Sequence, residues 1–317
     1  MASKLSSALL SIFLFFVCAA SVLLCCISMS GFFGQLHWLP ELFSHLRVLY
    51  AVAFLVALLI FAAAKRWKSL AVLAVFAVIN FIPIAQLYIP AAQASGSVKQ
   101  ELTVLQFNLW GGRNSHYDEV VQLVKEKSPD VIGFSEITKK WDTQLSSQLS
   151  DYPYRVVEPH YGGIAIYSRY PLRGAQVMYT GKIRRPRIKT TLQLPGEDIT
   201  LIMAHTVIPH DKSGLRNPEL ETLAAEARDA TKPVILIGDL NCSPWSFYFS
   251  QLLHDGNLRD SEQGFGVQPT WTTHVFPFVT IDHCLISDQF ATLQRQPGPN
   301  IGSDHLPLLV KLALHEQ

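Results

Sequence analysis

Hydrophobic and polar residues follow two different patterns along the chain. Three long, nearly uncharged hydrophobic runs fill the first part, at residues 5–29, 48–64 and 70–92. From residue 96 onward, short apolar runs alternate with amphipathic segments of mixed charge. A membrane-spanning helix needs about 20 consecutive apolar residues. The pattern therefore predicts a membrane anchor at residues 1–95, with three helices or alternatively two, and a separate domain at residues 96–317.

Basic residues predict the orientation of this anchor. Lys65, Arg66 and Lys68 fall in the short loop between the second and third runs, and Lys4 precedes the first run. Basic loops stay on the cytoplasmic side of a membrane, so three spans would place the following domain on the extracytoplasmic side. A cleaved signal peptide is the competing interpretation of the first run, but the run is too long for one and no clear cleavage site follows it. We therefore predict an integral membrane protein.

Strands and helices alternate in the second part of the chain. Apolar runs such as LTVLQFNLW, PDVIGFSEI and VILIGD predict strands. Amphipathic helices are predicted at residues 116–127 and 141–149, and a third from Asn217, as its cap, through Arg228. The dipeptide Pro195-Gly196 predicts the turn of a hairpin. This mixed order is typical of a layered α/β domain rather than of a single parallel sheet.

Many of these predicted strands carry an acid, an amide or an imidazole at one end. VILIGD ends at Asp239, and alternation places Asn241 on the same face of the strand. The other polar residues at strand ends are Asn108, Glu136, His205, Asp282, His283, Asp304 and His305. A buried ionisable group is costly unless it is paired or metal-bound. A single polar residue at a strand end could make a structural hydrogen bond. The recurrence of such residues in one domain predicts an active site.

Charge and cysteine content add little to this picture. The net charge of +1 over 317 residues gives no argument for a nucleic-acid partner. Cys242 and Cys284 could form a disulfide in an oxidising compartment, a question that the sequence leaves open. His283 directly follows Asp282, so alternation turns its side chain away, and we interpret it as packing or as a supporting contact.

In chain order, Asn108, Glu136, His205, GDLN, IDH and SDH resemble the motifs of the endonuclease/exonuclease/phosphatase superfamily. The resemblance covers about residues 100–315, and GDLNCSPWS with the hydrophobic first part looks most like bacterial membrane-anchored members. It implies a four-layered α/β sandwich, in which two packed mixed β-sheets are flanked by helices. It also implies hydrolysis of a phosphodiester or phosphomonoester by a metal-dependent enzyme of the bacterial inner (plasma) membrane.

The resemblance also implies which residues bind the metal. It makes Glu136 the main ligand of Mg²⁺, or alternatively Mn²⁺, with Asn108 beside it as a metal or phosphate contact and Asp304 completing the surroundings of the cation. Oxygen ligands suit a hard, hydrated cation of this kind. Zinc would favour gathered histidines and thiols, and the sequence contains no close Cys/His ligand motif.

The remaining motif residues are implied to act on the phosphate. Asp282 and His305 resemble the family's Asp-His pair, in which the imidazole activates water or stabilises the phosphoryl oxygens. Asp239 is the other candidate for positioning or deprotonating the attacking water. Asn241 would donate to a phosphate oxygen, and His205 would contact the phosphate or assist the leaving group.

The sequence leaves the substrate open between nucleic acid and a phospholipid head group or another phosphorylated small molecule. The lipid bilayer is the one further partner predicted, and no protein partner is predicted. The alternative from another functional class is a catalytically silent binding or scaffold module on the same fold. That alternative predicts loss of some catalytic positions, whereas every position matched above is present.

Overall fold

The computed structural model describes residues 2–91, 96–181, 183–208, 213–272 and 279–316. These residues divide into two compact units. One comprises Met1–Gln86 with Trp245–Phe247, and the other comprises Leu87–Pro244 with Tyr248–Gln317. The predicted boundary at residue 95 lies outside the described residues, so it stays a prediction.

The first unit is helical. Its helices are α1 (Ala2–Ser30), α2 (Trp38–Ser44), α3 (Arg47–Ala63) and α4 (Trp67–Gln86). Two of the described helical segments, Ala8–Phe33 and Trp67–Gln86, are long and apolar enough to cross a membrane. The pair α2 and α3 would supply a third span if it is taken as one helix, although the two are bent by 67°. Length and composition therefore allow two or three spans, as the sequence predicted.

The second unit is built from two mixed β-sheets. The first sheet has the strand order β11-β12-β1-β2-β4-β3 and the second β5-β6-β7-β8-β10-β9. The strands are β1 (Val98–Asn108), β2 (Val131–Ser135), β3 (Tyr154–Glu158), β4 (Ile164–Ser168), β5 (Leu172–Thr180), β6 (Arg185–Leu194), β7 (Glu197–His205), β8 (Val234–Asp239), β9 (Arg259–Asp260), β10 (Asp282–Ile286), β11 (Phe290–Pro297) and β12 (Leu308–His315).

Apolar side chains from both sheets form the core between them. Alternation places Val104, Leu201 and Ile237 in this inner core. The other face of each sheet is covered by a helix pair: α5 (Tyr117–Lys127) and α6 (Lys139–Gln148) on the first, α7 (Ser213–Arg228) and α8 (Phe247–Asp255) on the second. The four layers confirm the predicted α/β sandwich.

The start of α7 differs from the sequence prediction. The helix begins at Ser213, so Pro218 lies inside it rather than in its first turn. Asn217 is therefore inside the helix and not its cap, and its side-chain oxygen accepts hydrogen bonds from the neighbouring Arg216 guanidinium. The predicted hairpin turn at Pro195-Gly196 is confirmed, since Leu194 and Glu197 are paired on either side of it.

Cys242 and Cys284 are both thiols rather than a disulfide. Both are fully buried. Cys284 lies in the core between the sheets, where burial raises the pKa of its thiol to about 12. Such a thiol is inert at physiological pH, because the thiolate is the reactive form.

Candidate active site

Two parallel strand pairs bring the predicted polar residues to one edge of the sandwich. Asn108 ends β1 opposite Ser135 of β2, and Glu136 follows Ser135. His205 ends β7 opposite Asp239, the last residue of β8. Parallel strands end at the same edge of a sheet, so both pairs deliver their polar residues together.

The antiparallel strand β10 adds a further acid to this edge. Its first residue, Asp282, pairs with Asp239 across the two strands. Alternation turns both carboxylates toward the space between the sheets, on the faces that carry Ile237 and Cys284 in the core. One donor atom from each of Asp239, Asp282 and His305 lies within 4.8 Å of the other two.

Asp282 and His305 form a buried ion pair. Their Oδ2 and Nδ1 atoms are 2.7 Å apart. Burial favours the neutral form of both groups, but each charge stabilises the other more strongly. The pKa of His305 is consequently raised to about 10 and that of Asp282 is lowered. His305 is therefore an imidazolium at neutral pH, suited to stabilise negative charge.

Asp239 lies at the centre of the site. Its Oδ2 accepts a 2.9 Å hydrogen bond from Asn108 Nδ2, and it lies 3.7 Å from His305 Nε2 and 3.5 Å from His205 Nε2. Its Oδ1 accepts from the Asn241 backbone N–H at 3.0 Å. Burial raises the pKa of Asp239 to about 7, against the opposing effect of His305. A carboxylate with such a pKa can exchange protons near neutral pH.

His205 is neutral at physiological pH. Its imidazole is 3% exposed, and burial together with the nearby Arg185 lowers its pKa to about 3. Nδ1 lies 3.1 Å from the Gly162 carbonyl oxygen and 3.3 Å from Arg185 Nη1. Arg185 brings a guanidinium to the edge of the site.

Asn241 departs from the strand geometry expected from the sequence. β8 ends at Asp239, and Asn241 has a left-handed backbone with φ of 47°. Alternation therefore does not extend to Asn241, because it holds only within an extended strand. The side chain donates one hydrogen bond, 2.9 Å long, to the Thr206 carbonyl oxygen. Its amide nitrogen carries a second hydrogen for a ligand.

The predicted metal ligands supply oxygen donors. Glu136 Oε1 lies 3.4 Å from Asn108 Nδ2, and Glu136 has a left-handed backbone with φ of 54°, which is strained for a residue with a side chain. Asp304 Oδ2 accepts a 3.3 Å hydrogen bond from Trp271 Nε1. Asp304 Oδ1 is buried and has no hydrogen-bond partner among the described residues. The unpaired oxygen and the donor types fit a hard cation such as Mg²⁺.

Several supporting residues were missed by the sequence reasoning. Gln106 donates to Asp282 Oδ1 at 3.4 Å, and Thr270 Oγ1 accepts the Asp282 backbone N–H at 3.1 Å. Ser303 Oγ donates to the Asn108 carbonyl oxygen at 2.7 Å and accepts the His305 backbone N–H at 3.1 Å. Gln106 could have been found, because it shares the inner face of β1 with Asn108 two residues further on. Thr270 lies in a loop, where no periodic signal exists.

A comparison with protein families finds one match. The model of the Endonuclease/Exonuclease/phosphatase family matches residues 105–305, which include every predicted site residue. A comparison with curated protein sequences finds no match.

Solved structures share the fold of the second unit. D. rerio TDP2 complexed with single strand DNA product matches with a TM-score of 0.62 and 14% identity, over 68% of this chain and 99% of that one. An endonuclease/exonuclease/phosphatase family protein from Bacteroides thetaiotaomicron matches with a TM-score of 0.60 and 18% identity, over 70% and 99%. One from Beutenbergia cavernae gives 0.56 and 19%, over 68% and 72%. At these identities the likeness shows the fold alone.

Proposed function

The chain belongs to the endonuclease/exonuclease/phosphatase family, and we propose that it is a membrane-tethered phosphoesterase that hydrolyses a phosphodiester bond with a divalent metal ion. The observation that carries this proposal is the convergence on Asp239. Asn108, His205 and His305, from three separate segments, all lie within 3.7 Å of Asp239 Oδ2. A buried carboxylate surrounded by an amide and two imidazoles suits proton transfer from water beside a phosphate.

In this mechanism Asp239 accepts the proton of the attacking water. The water oxygen forms a bond to phosphorus, and the bond from phosphorus to the leaving oxygen breaks. The imidazolium of His305 stabilises the charge that develops on the phosphoryl oxygens, and Asp282 holds its ring in place through the 2.7 Å contact. The second amide hydrogen of Asn241 donates to a phosphoryl oxygen. Neutral His205 contacts the phosphate on the side of Arg185.

Glu136, Asn108 and Asp304 are the residues that would hold the metal ion, which we propose to be Mg²⁺, with Mn²⁺ as a substitute. When bound, such an ion neutralises phosphate charge and polarises the phosphoryl group. The side-chain amide of Asn108 donates hydrogen bonds both to the carboxylate of Glu136 and to that of Asp239. This shared amide would fix the cation and the base relative to each other.

Replacing Glu136 with glutamine is expected to lower kcat about 100-fold and to raise the Mg²⁺ concentration needed for half-maximal activity, because one anionic ligand is lost. The full chain in detergent should be assayed on bis-p-nitrophenyl phosphate across a Mg²⁺ titration. Glu197→Gln is a matched control, since Glu197 is a partly exposed acid paired with Lys99 on the rim of the sandwich. An unchanged metal requirement in Glu136→Gln would contradict the assignment.

Arg184, which precedes Arg185 in the chain, and two neighbouring tyrosines support a nucleic acid as the substrate. The guanidinium of Arg184 lies 4.9 Å from the ring centre of Tyr161 and 5.0 Å from that of Tyr179. Tyr161 is 50% exposed, and the next residue, Gly162, contacts His205. Bases stack on tyrosine rings and arginine planes, whereas a positively charged lipid head group would be repelled by Arg184. Assaying the same preparations on single-stranded DNA and on sphingomyelin separates the two substrates.

The apolar helices of the first unit support tethering to a bilayer. Lys65 and Arg66 lie between α3 and α4, and Lys68 lies in the first turn of α4, so all three are at one end of both helices. By the distribution of basic residues this loop stays in the cytoplasm. With three spans, the catalytic domain then lies on the extracytoplasmic side of a bacterial inner membrane.

Reporter fusions test this orientation. Alkaline phosphatase fused after Gln317 should be active, because that enzyme needs an oxidising compartment for its disulfides. The same reporter fused after Arg66, in the loop between α3 and α4, is the matched control and should be inactive. Green fluorescent protein should give the opposite pattern at the two positions. Alkaline phosphatase that is inactive after Gln317 in a stably inserted chain would refute the three-span orientation.

A further inference from the structure

A second group of buried ionisable residues lies away from the candidate active site. Asp260 is 7% exposed, and Glu262 and His283 are fully buried. One donor atom from each of the three lies within 4.8 Å of the other two. Three such groups are costly to bury unless they share hydrogen bonds or a bound ion.

This group lies on the outer face of the second sheet. His283 follows Asp282 in β10, so alternation turns its ring away from the catalytic residues and against the ring of Phe249 in α8, with centroids 4.4 Å apart. Asp260 belongs to β9, the edge strand that pairs with β10, and Glu262 lies just after that strand. The second sheet therefore separates this group from the candidate active site.

Each of the three side chains is anchored through one atom and has another left over. Asp260 Oδ1 accepts the Glu262 backbone N–H at 2.9 Å. Glu262 Oε1 accepts from the Gln268 backbone at 2.8 Å and from Thr280 Oγ1 at 3.1 Å. In the described part of the chain, Asp260 Oδ2, Glu262 Oε2 and His283 Nδ1 have no hydrogen-bond partner.

The hydrogen bond at the other side of the imidazole decides the chemistry of His283 Nδ1. Nε2 lies 2.8 Å from the Cys242 carbonyl oxygen, which can only accept, so Nε2 carries the hydrogen. The ring is neutral, because burial lowers the pKa of His283. Nδ1 is therefore left with a lone pair and no hydrogen. An imidazole oriented by a backbone carbonyl is the usual arrangement of a histidine metal ligand.

A cation satisfies this group better than a water molecule does. Two carboxylate oxygens and one imidazole nitrogen are left unpaired, and a water molecule has only two hydrogens to donate to these three atoms. Burial raises the pKa of Glu262 to about 7, and a bound cation would favour its ionised form. Arg295 Nη2 forms a buried ion pair with Glu262 Oε2 at 3.8 Å, a distance too long for a hydrogen bond. The Arg295 guanidinium is held instead by Ser261 Oγ at 3.3 Å and Gln268 Oε1 at 2.7 Å.

We propose that Asp260, Glu262 and His283 bind a divalent cation of the zinc type at a site on the outer face of the second sheet. One imidazole nitrogen with two carboxylate oxygens is a mixed ligand set that suits Zn²⁺, with water in the fourth position. Mg²⁺ and Ca²⁺ are disfavoured because they take oxygen ligands alone. The cation would fasten β9 and the following loop to β10.

This loop connects the proposed cation to the active site. It continues to Thr270, whose Oγ1 accepts the backbone N–H groups of Ile281 and Asp282 at 3.2 and 3.1 Å. The cation would therefore stabilise the loop that positions the start of β10. Binding of the cation should therefore change the unfolding temperature and the metal content of the protein more than the rate of phosphate hydrolysis.

Metal analysis of the full chain tests the proposal. The chain is purified in detergent as the Glu136→Gln, His305→Gln variant, which removes donors at the active site, then incubated with ZnCl2 and desalted. About one zinc per chain is expected by elemental analysis, because the three residues form one site. Adding Glu262→Gln should abolish this zinc, whereas Glu219→Gln, at another buried glutamate, should retain it.

A second measurement keeps the test decisive if Glu262→Gln does not fold. Zinc should raise the unfolding temperature of the Glu136→Gln, His305→Gln chain, and a chelator should reverse the shift. Cobalt in place of zinc should show no thiolate charge-transfer band, which separates this site from the cysteines. No retained zinc in that chain, zinc retained equally after Glu262→Gln, or a thiolate band would overturn the proposal.

Discussion

Replacing Asp239 with asparagine is expected to lower kcat on bis-p-nitrophenyl phosphate by about 10³-fold, within the range measured for loss of a general base. Asparagine keeps the size of the side chain and can still accept the Asn241 backbone N–H, so the end of β8 should be preserved. It cannot take a proton from water. In the wild type, Asp239 Oδ2 accepts a hydrogen bond from Asn108 Nδ2, and in the variant an amide N–H would face that donor instead.

The comparison for this prediction is Asp198→Asn. Asp198 is an acid of the same type whose ion pair with Lys232 lies on the partly exposed surface. Surface pairs of this kind contribute little to stability, so this variant should keep wild-type kcat. Single-turnover assays at saturating Mg²⁺ separate the chemical step from metal binding. If Asp239→Asn retains more than a tenth of the wild-type rate in that assay, another group is the base.

The fold could be predicted from the sequence because local and long-range signals agree in the strands. β1, β2, β7 and β8 are apolar runs, and in the structure Asn108, His205 and Asp239 are the last residues of β1, β7 and β8. Strands with less apolar sequence were not found. β5 is mostly exposed at the sheet edge, so its side chains carry no alternating pattern.

The site could be predicted only where it depends on strand ends. The sequence prediction for Asn241 extended the alternation of β8 beyond the end of the strand. β8 ends at Asp239, two residues before Asn241, and the backbone of Asn241 is left-handed. Glu262 could not have been linked to His283, because they come together through the pairing of β9 with β10, which no local pattern encodes. The sequence did indicate correctly that His283 faces away from Asp282. It gave no signal of what the imidazole faces instead.

The Asp282–His305 pair is expected to behave as one catalytic unit. His305→Gln and Asp282→Asn should each lower kcat by about 10³-fold, and the double variant should lose little more than either single variant. The physical reason is that Asp282 is fully buried and acts through the 2.7 Å contact with His305. Without the imidazolium, the carboxylate has nothing to orient. Without the carboxylate, the pKa of His305 should fall, because burial lowers it and the strongest opposing charge is lost, and the ring is free to turn.

A double-mutant cycle measures this coupling. kcat is determined for the wild type, both single variants and the double variant, with unfolding temperatures recorded to exclude loss of structure. Gln106→Ala serves as the graded comparison, because Gln106 contacts Asp282 Oδ1 at the longer distance of 3.4 Å and should cost less. Losses that multiply in the double variant would mean that the two residues act independently. In that case Asp282 would serve the site through Gln106 and Thr270 rather than through the imidazole.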